Sequence, residues 1–206
     1  MSEAEYKRLR QALAAKYADA GEAVSDILYS PEAQSITLNF EGRLYNGKSL
    51  RDLALLIANQ KVLAFIVGNT TDLPIGSEAK YHQDLDTILL RRQPTDAYAK
   101  SAVIHECIHA INDDKKRDMT NAINEKHAFI FQALYLRKLH VAGKILLAGG
   151  TQDIKFPPAA FDVADSMMSG RAVSLSDVVH LEETLQATSE YASSLAKKSP
   201  NDGVRK

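Results

Sequence analysis

His105 and His109 stand four residues apart in the stretch AVIHECIHAIND, residues 102–113, with Glu106 directly after the first of them. In an α-helix this spacing sets the two imidazoles about 40° apart around the axis and one turn apart along it, so both project from one face. Two ring nitrogens so placed can reach a single metal ion. Glu106 lies about 100° round the helix, near enough to touch a water on that ion but poorly placed to ligate it. Ligands and base are thereby kept apart. Zinc in such a setting lowers the pKa of its water, while the carboxylate takes the proton as the water attacks a polarised carbonyl and can return it to a leaving amine. Apart from Cys107, every other side chain between Ser101 and Asn112 is Ala, Val or Ile. A carboxylate and two imidazoles are costly to bury there unless something pairs with them.

A catalytic zinc site keeps three protein ligands and leaves one position open, so a third ligand is expected downstream. Glu125, in NAINEKHAF, shares its helical face with Ala122, Ala128, Phe129 and Leu136, an apolar setting that again asks for a partner. His127 competes for the role, but it lies about 200° round the same helix, so the two should not share one ion. Glu125 is favoured.

HECIHAIND resembles the active-site helix of gluzincin metallopeptidases, the thermolysin-like group in which HExxH is followed by Ala, an aliphatic residue, any residue and Asp. NEKHA is similar to the NExxS or NExxA motif on their next helix, and the likeness is confined to these two segments. It implies that His105, His109 and Glu125 bind Zn2+, that Glu106 is the catalytic glutamate, and that Asp113 occupies a supporting position. The gap from His109 to Glu125 is a few residues shorter than in thermolysin, and Phe129 stands where a supporting acid often follows the glutamate. The metzincin pattern is absent, since Asn112 and Lys115 occupy the positions of its Gly and His. The implied activity is that of a zinc-dependent peptidase acting on peptides or proteins. An oxyanion donor is also needed, and His180, His140, Tyr135, Tyr98 and His82 are all chemically able. Cys107 points away from the histidine pair and reads as a small buried apolar residue.

The elements that must position these residues read as α+β. Residues 3–19 have helical spacing at Tyr6, Leu9, Leu13 and Tyr17. VSDILYS, SITLNFEG and RLYNG read as two or three short strands, SLRDLALLIANQ as a helix capped by Ser49, and KVLAFIVGN as a buried strand. YHQDLDTILLRRQ, residues 81–93, reads as one more strand. The motif helix opens at Thr95 or Asp96, the Glu125 helix is long and closed by Gly149-Gly150, and a last helix starts at Ser174. Val178, Leu181, Leu185, Thr188, Ala192 and Leu195 form a stripe on that last helix, for packing on the body or for a helix–helix homodimer seam. The expectation is one zincin-like domain over 1–196, with an N-lobe to about 112 made of a small twisted sheet, a backing helix and the motif helix. A helical C-lobe over 113–196 and a fraying polar tail over 197–206 complete it. In zincins the strand before the motif helix forms the cleft rim, here LDTILLRR, and an extended peptide could add to it by backbone pairing.

The 206 residues carry 25 basic and 26 acidic side chains, a net charge of −1 that gives nucleic-acid binding no electrostatic support. The longest apolar run, VLAFIVG, is too short to span a membrane, the start MSEAEYKRLR does not read as a signal peptide, and the lone Cys107 excludes an intrachain disulfide. A cytoplasmic setting is the expectation, with leaderless secretion left open. Two other functions fit the same residues: a catalytically inactive zincin-like binding or regulatory module, and a protease effector or toxin with one target protein.

Overall fold

The computed structural model describes residues 1–146, 157–187, 197 and 203–204, and its architecture is mixed α+β. Glu3–Lys16 form α1, capped by Ser2, whose hydroxyl accepts from the Glu5 amide. Ala18–Asp19 then form a two-residue strand, β1, where a last helical turn was expected. VSDILYS is not a strand: Gly21–Tyr29 form α2. Its apolar residues Val24, Ile27 and Leu28 recur at three- and four-residue steps and are all buried, a helical period that the β-branched Val24 and Ile27 conceal. Pro31–Gln34 make a single turn, α3. Leu38–Phe40 and Arg43–Tyr45 pair as the hairpin β2–β3. Helix α4, Gly47–Ala58, starts two residues before the expected cap, because Asn46 and not Ser49 supplies the capping oxygen, accepting from the Ser49 amide at 3.1 Å.

Leu63–Ile66 form β4, and the single strand expected over 81–93 is a second hairpin, Ala79–His82 as β5 and Thr87–Leu90 as β6. A 3-10 turn at Gln83–Leu85 and Asp86 in the left-handed region, φ 47°, reverse the chain between them. The four-stranded sheet has the order β1-β4-β6-β5, with β4 and β6 parallel and both edge strands antiparallel to their neighbours. LDTILLRR is therefore interior, and β5 is the edge. Both faces of β6 are covered, which is why TILL reads as an unbroken apolar run. Phe65, Val67, Leu73 and Leu89 pack with Leu13 and Tyr17 around α1 on one face. Ala64, Ala79, Tyr81, Ile88 and Leu90 join the main core on the other, with residues of α2, α4 and the motif helix.

The motif helix, α5, runs Ala97–Asp114 behind an Asp96 cap that accepts from the Ala99 amide at 2.9 Å. Helix α6, Asn121–Val141, is capped by Thr120 and ends well before Gly149 and Gly150, which lie outside the described residues. Pro158–Met168 form α7 and Leu175–Ala187 form α8, the latter opened by Ser174, whose hydroxyl accepts from the Asp177 amide. Leu181 and Leu185 are buried and α8 packs on α7 and α6, so this part of the stripe is used within the chain; Thr188, Ala192 and Leu195 lie outside the described residues. Of the segment expected to fray, the Lys197 carbonyl accepts from the Asn121 amide, and Val204 is buried in the main core. No helix of the described residues is long and apolar enough to cross a membrane.

The β2–β3 turn places Glu41 and Gly42 at φ 49° and 73°, the doubly left-handed geometry of a tight hairpin turn, which glycine tolerates and glutamate resists. Glu41 is held there by its side chain, which meets Lys126 Nζ at 2.7 Å and His127 Nε2 at 3.3 Å. The His127 hydrogen bond, with Lys126 behind it, outweighs burial and lowers the Glu41 carboxyl from 4.5 to about 2. A depressed native pKa gives stability that is present above the unfolded value and lost as pH falls through the native one. Glu41→Gln is expected to lower Tm at pH 7, with the gap from the parent closing as pH falls from about 4.5 to 2. Thermal melts across that range check it, and a pH-independent gap would rule the ion pairs out as its source.

Candidate metal centre

α5 and α6 pack against each other and bring His105, His109 and Glu125 together; each offers one ligand atom, all within 4.8 Å of one another. The two Nε2 atoms stand 3.1 Å apart, His105 Nε2 lies 3.2 Å from Glu125 Oε2, and His109 Nε2 lies 3.5 Å from Glu125 Oε1. Ligands of a tetrahedral zinc at its usual bond lengths stand about 3.3 Å apart, so the three spacings suit one ion. Among the described residues this is the only such group of three. His127 is elsewhere: it is wholly buried between Glu41 and the Tyr45 hydroxyl, 2.6 Å from its Nδ1.

The proton on His105 can be assigned from its neighbours. Gln132 Nε2 donates to Ser101 Oγ at 3.0 Å, which turns the amide oxygen toward His105 Nδ1, 3.1 Å away. An amide oxygen only accepts, so Nδ1 carries the hydrogen and a neutral His105 presents a bare lone pair at Nε2. That lone pair faces Glu125 Oε2, a buried atom with no hydrogen-bond partner among the described residues. An orphaned carboxylate oxygen against an imidazole lone pair is what a bound cation would relieve. The electrostatics describe a pocket that favours positive charge, whether a proton or a metal ion. Burial opposes charge on His105, but the nearby Glu125 carboxylate outweighs it and raises the His105 pKa; burial opposes charge on Glu125, and His109 and then His105 outweigh it and lower the Glu125 pKa.

Gln132 is the neighbour of His105 that sequence reasoning missed. It lies seven residues, two helical turns, after Glu125, as a polar side chain in the buried run FIFQALYL. Phe129, where an acid was the familiar choice, instead sets its ring edgewise on His105 at 4.4 Å between centroids. Asp113 is buried, and its carboxylate accepts from the Tyr81 hydroxyl at 2.8 Å and the Gly203 amide at 2.9 Å.

Glu106 Oε2 accepts from the Tyr81 amide of edge strand β5 at 2.6 Å. A cleft opens there, lined by residues 75–79, Tyr98, Ala102, His105, Glu106 itself, Phe129 and Gln132. Of the five oxyanion candidates, Tyr98 alone lines this cleft. Burial raises its pKa, with Glu78 and Asp96 adding to the effect, so its phenol stays a donor. Tyr135 is buried, His180 is exposed on α8, His140 Nδ1 bonds the Ile145 carbonyl, and His82 ends β5. Cys107 is buried, and burial followed by the Glu106 charge pushes its thiol far above the ordinary range.

Comparison with known proteins returns no matching family model, no matching curated protein and no matching solved structure.

If the His105, His109 and Glu125 group holds a metal and Gln132 orients His105, Gln132→Leu should weaken the binding of added zinc by about tenfold or more. Competition against a chelator of known affinity measures it, and an unchanged dissociation constant removes Gln132 from the site.

Proposed function

We propose that the chain is a zinc-dependent peptidase with a zincin-like, gluzincin-type centre. One observation carries this reading: His105 and His109 from one helix and Glu125 from the next converge, with a carboxylate that is not part of the triangle beside them at an open cleft. Two imidazoles and one carboxylate are a donor set that suits zinc with a position left for chemistry. Zinc bound there would supply a Lewis acid that polarises a carbonyl and makes a water easier to deprotonate. Glu106, steadied by the Tyr81 amide, takes the proton from the attacking water and delivers it to the departing amine. Tyr98 offers a hydrogen bond from the cleft wall to the bound substrate.

Edge strand β5 gives this reading its substrate geometry. Arg91 donates to the Glu78 carbonyl and Val67 to the Leu90 carbonyl, so backbone groups at 78, 80 and 82 turn to β6 and those at 79 and 81 turn outward. An extended peptide can pair with Ala79 there, beside Glu106.

The purified protein is expected to hold about one equivalent of zinc, and His105→Ala and Glu125→Ala to lose it. Glu106→Gln should keep the metal yet cleave a peptide mixture at least about a hundredfold more slowly. Metal analysis and mass spectrometry of the digest read both, and a Glu106→Gln protein with full activity would sink the mechanism.

A further inference from the structure

Tyr81 is the residue at which the base, the edge strand and a distant part of the chain meet. Its amide donates to Glu106 Oε2 at 2.6 Å, while its buried phenol donates to Asp113 Oδ2 at 2.8 Å and lies 3.4 Å from Asp86 Oδ1. One phenolic proton cannot serve two carboxylates, and the shorter distance assigns it to Asp113. Asp86 has its own donor in the Tyr6 hydroxyl at 2.6 Å. Burial, reinforced by Asp113 and Asp86, pushes the Tyr81 phenol far above its ordinary range, so the donor is kept at any physiological pH.

The other oxygen of Asp113 accepts from the Gly203 amide at 2.9 Å. Gly203 sits at φ 96°, where only glycine is at ease, and a Cβ there would collide with the Lys116 side chain. Next to it, Val204 is 8% exposed and belongs to the main core. These 203–204 contacts thus close a chain of hydrogen bonds from Gly203 through Asp113 and Tyr81 to Glu106.

We propose that the 203–204 segment, through Asp113 and Tyr81, positions the Glu106 carboxylate beside His105. The inference rests on the reading of Glu106 as the base, and it makes Tyr81 and Gly203 positioning residues. A glutamate side chain has three rotatable bonds, and a short bond from a fixed amide selects among its rotamers. That amide is fixed only as firmly as its strand, and β5 is an edge with a neighbour on one side. The phenol of Tyr81, tied to Asp113 on α5, supplies the second anchor. Gly203 then holds the Asp113 carboxylate in the orientation that receives the phenol.

The test compares the full chain with Gly203→Ala and Tyr81→Phe, all supplied with zinc, by hydrogen exchange at single amides. Exchange at Tyr81 is expected to quicken about tenfold in both variants, while Arg91, whose amide bonds Glu78 in the same hairpin, stays within about twofold. Equal acceleration at Tyr81 and Arg91 means that the hairpin merely loosens and overturns the proposal, as does unchanged exchange at Tyr81. On a peptide mixture kcat should fall about tenfold with KM held, since small displacements of a reacting group are felt chiefly in the chemical step. Fast exchange at Tyr81 with kcat unaltered also overturns it. A parent protein that hydrolyses nothing refutes the peptidase reading instead, while the exchange comparison still decides whether Gly203 governs the Tyr81 tether. If Gly203→Ala does not fold, Tyr81→Phe decides the Asp113 link alone and its unchanged exchange overturns the proposal.

Discussion

His105 Nε2, His109 Nε2 and the Glu125 carboxylate are held 3.1 to 3.5 Å apart between two helices, and electron-pair donors that close repel unless positive charge lies among them. Helix packing must therefore fix a geometry that the polar groups alone would resist. A buried amide clamp does so directly beside the site. Asn112, three residues past His109, donates through Nδ2 to Asn124 Oδ1 at 2.7 Å, and Asn124 immediately precedes Glu125. Asn112 Oδ1 in turn accepts from the Tyr45 hydroxyl at 2.7 Å and from Arg117 at 2.9 Å. The clamp sets how far Glu125 can stray from the histidines.

Most of the polar interior of the described residues is satisfied, and this makes the exceptions informative. Ser101, Gln132 and His105 form one chain of hydrogen bonds, Tyr81, Asp86 and Asp113 another, and Lys126 is neutralised by Glu41 and Glu182. Among the described residues, Glu125 Oε2 and Arg137 Nε are the buried side-chain atoms left without a partner. Arg137 already bonds Asp165 and lies over the Phe161 ring, so its cost is spread over other contacts. Among the described residues the Glu125 carboxylate meets the two histidines, and the His105 lone pair cannot satisfy its oxygen.

How much of this was legible in the chain depended on range. That His105 and His109 share one face, with Glu106 turned away from it, follows from helical period alone, and so does the separation of Glu125 from His127. Asp96 and Ser174 were readable as caps because capping is a local bond. α2 reads as a strand in the sequence because Val24, Ile27 and Tyr29 are types common in strands, whereas burial of Val24, Ile27 and Leu28 on one side shows the helical period. The β5–β6 reversal was hidden because Asp86 makes the left-handed turn that glycine usually marks. Gln132 could not be assigned to His105 from 27 residues away, since side-chain partners across helices depend on crossing geometry. The reach of Gly203 to Asp113 spans 90 residues and leaves no local trace at all.

On the peptidase reading, the edge strand has two duties that constrain each other. Its outward backbone groups at Ala79 would align a peptide, and its Tyr81 amide already holds the carboxylate that would act on that peptide. Substrate register and base position are then referred to one short strand, two residues apart. Such an arrangement tolerates little motion of β5, yet a four-residue edge strand is among the least restrained parts of a sheet. The buried phenol of Tyr81 answers that difficulty, because it fastens the strand from behind to α5, the same helix that carries His105, Glu106 and His109. Ligands, base and edge thereby move as one body, and the open side of β5 is left to the substrate.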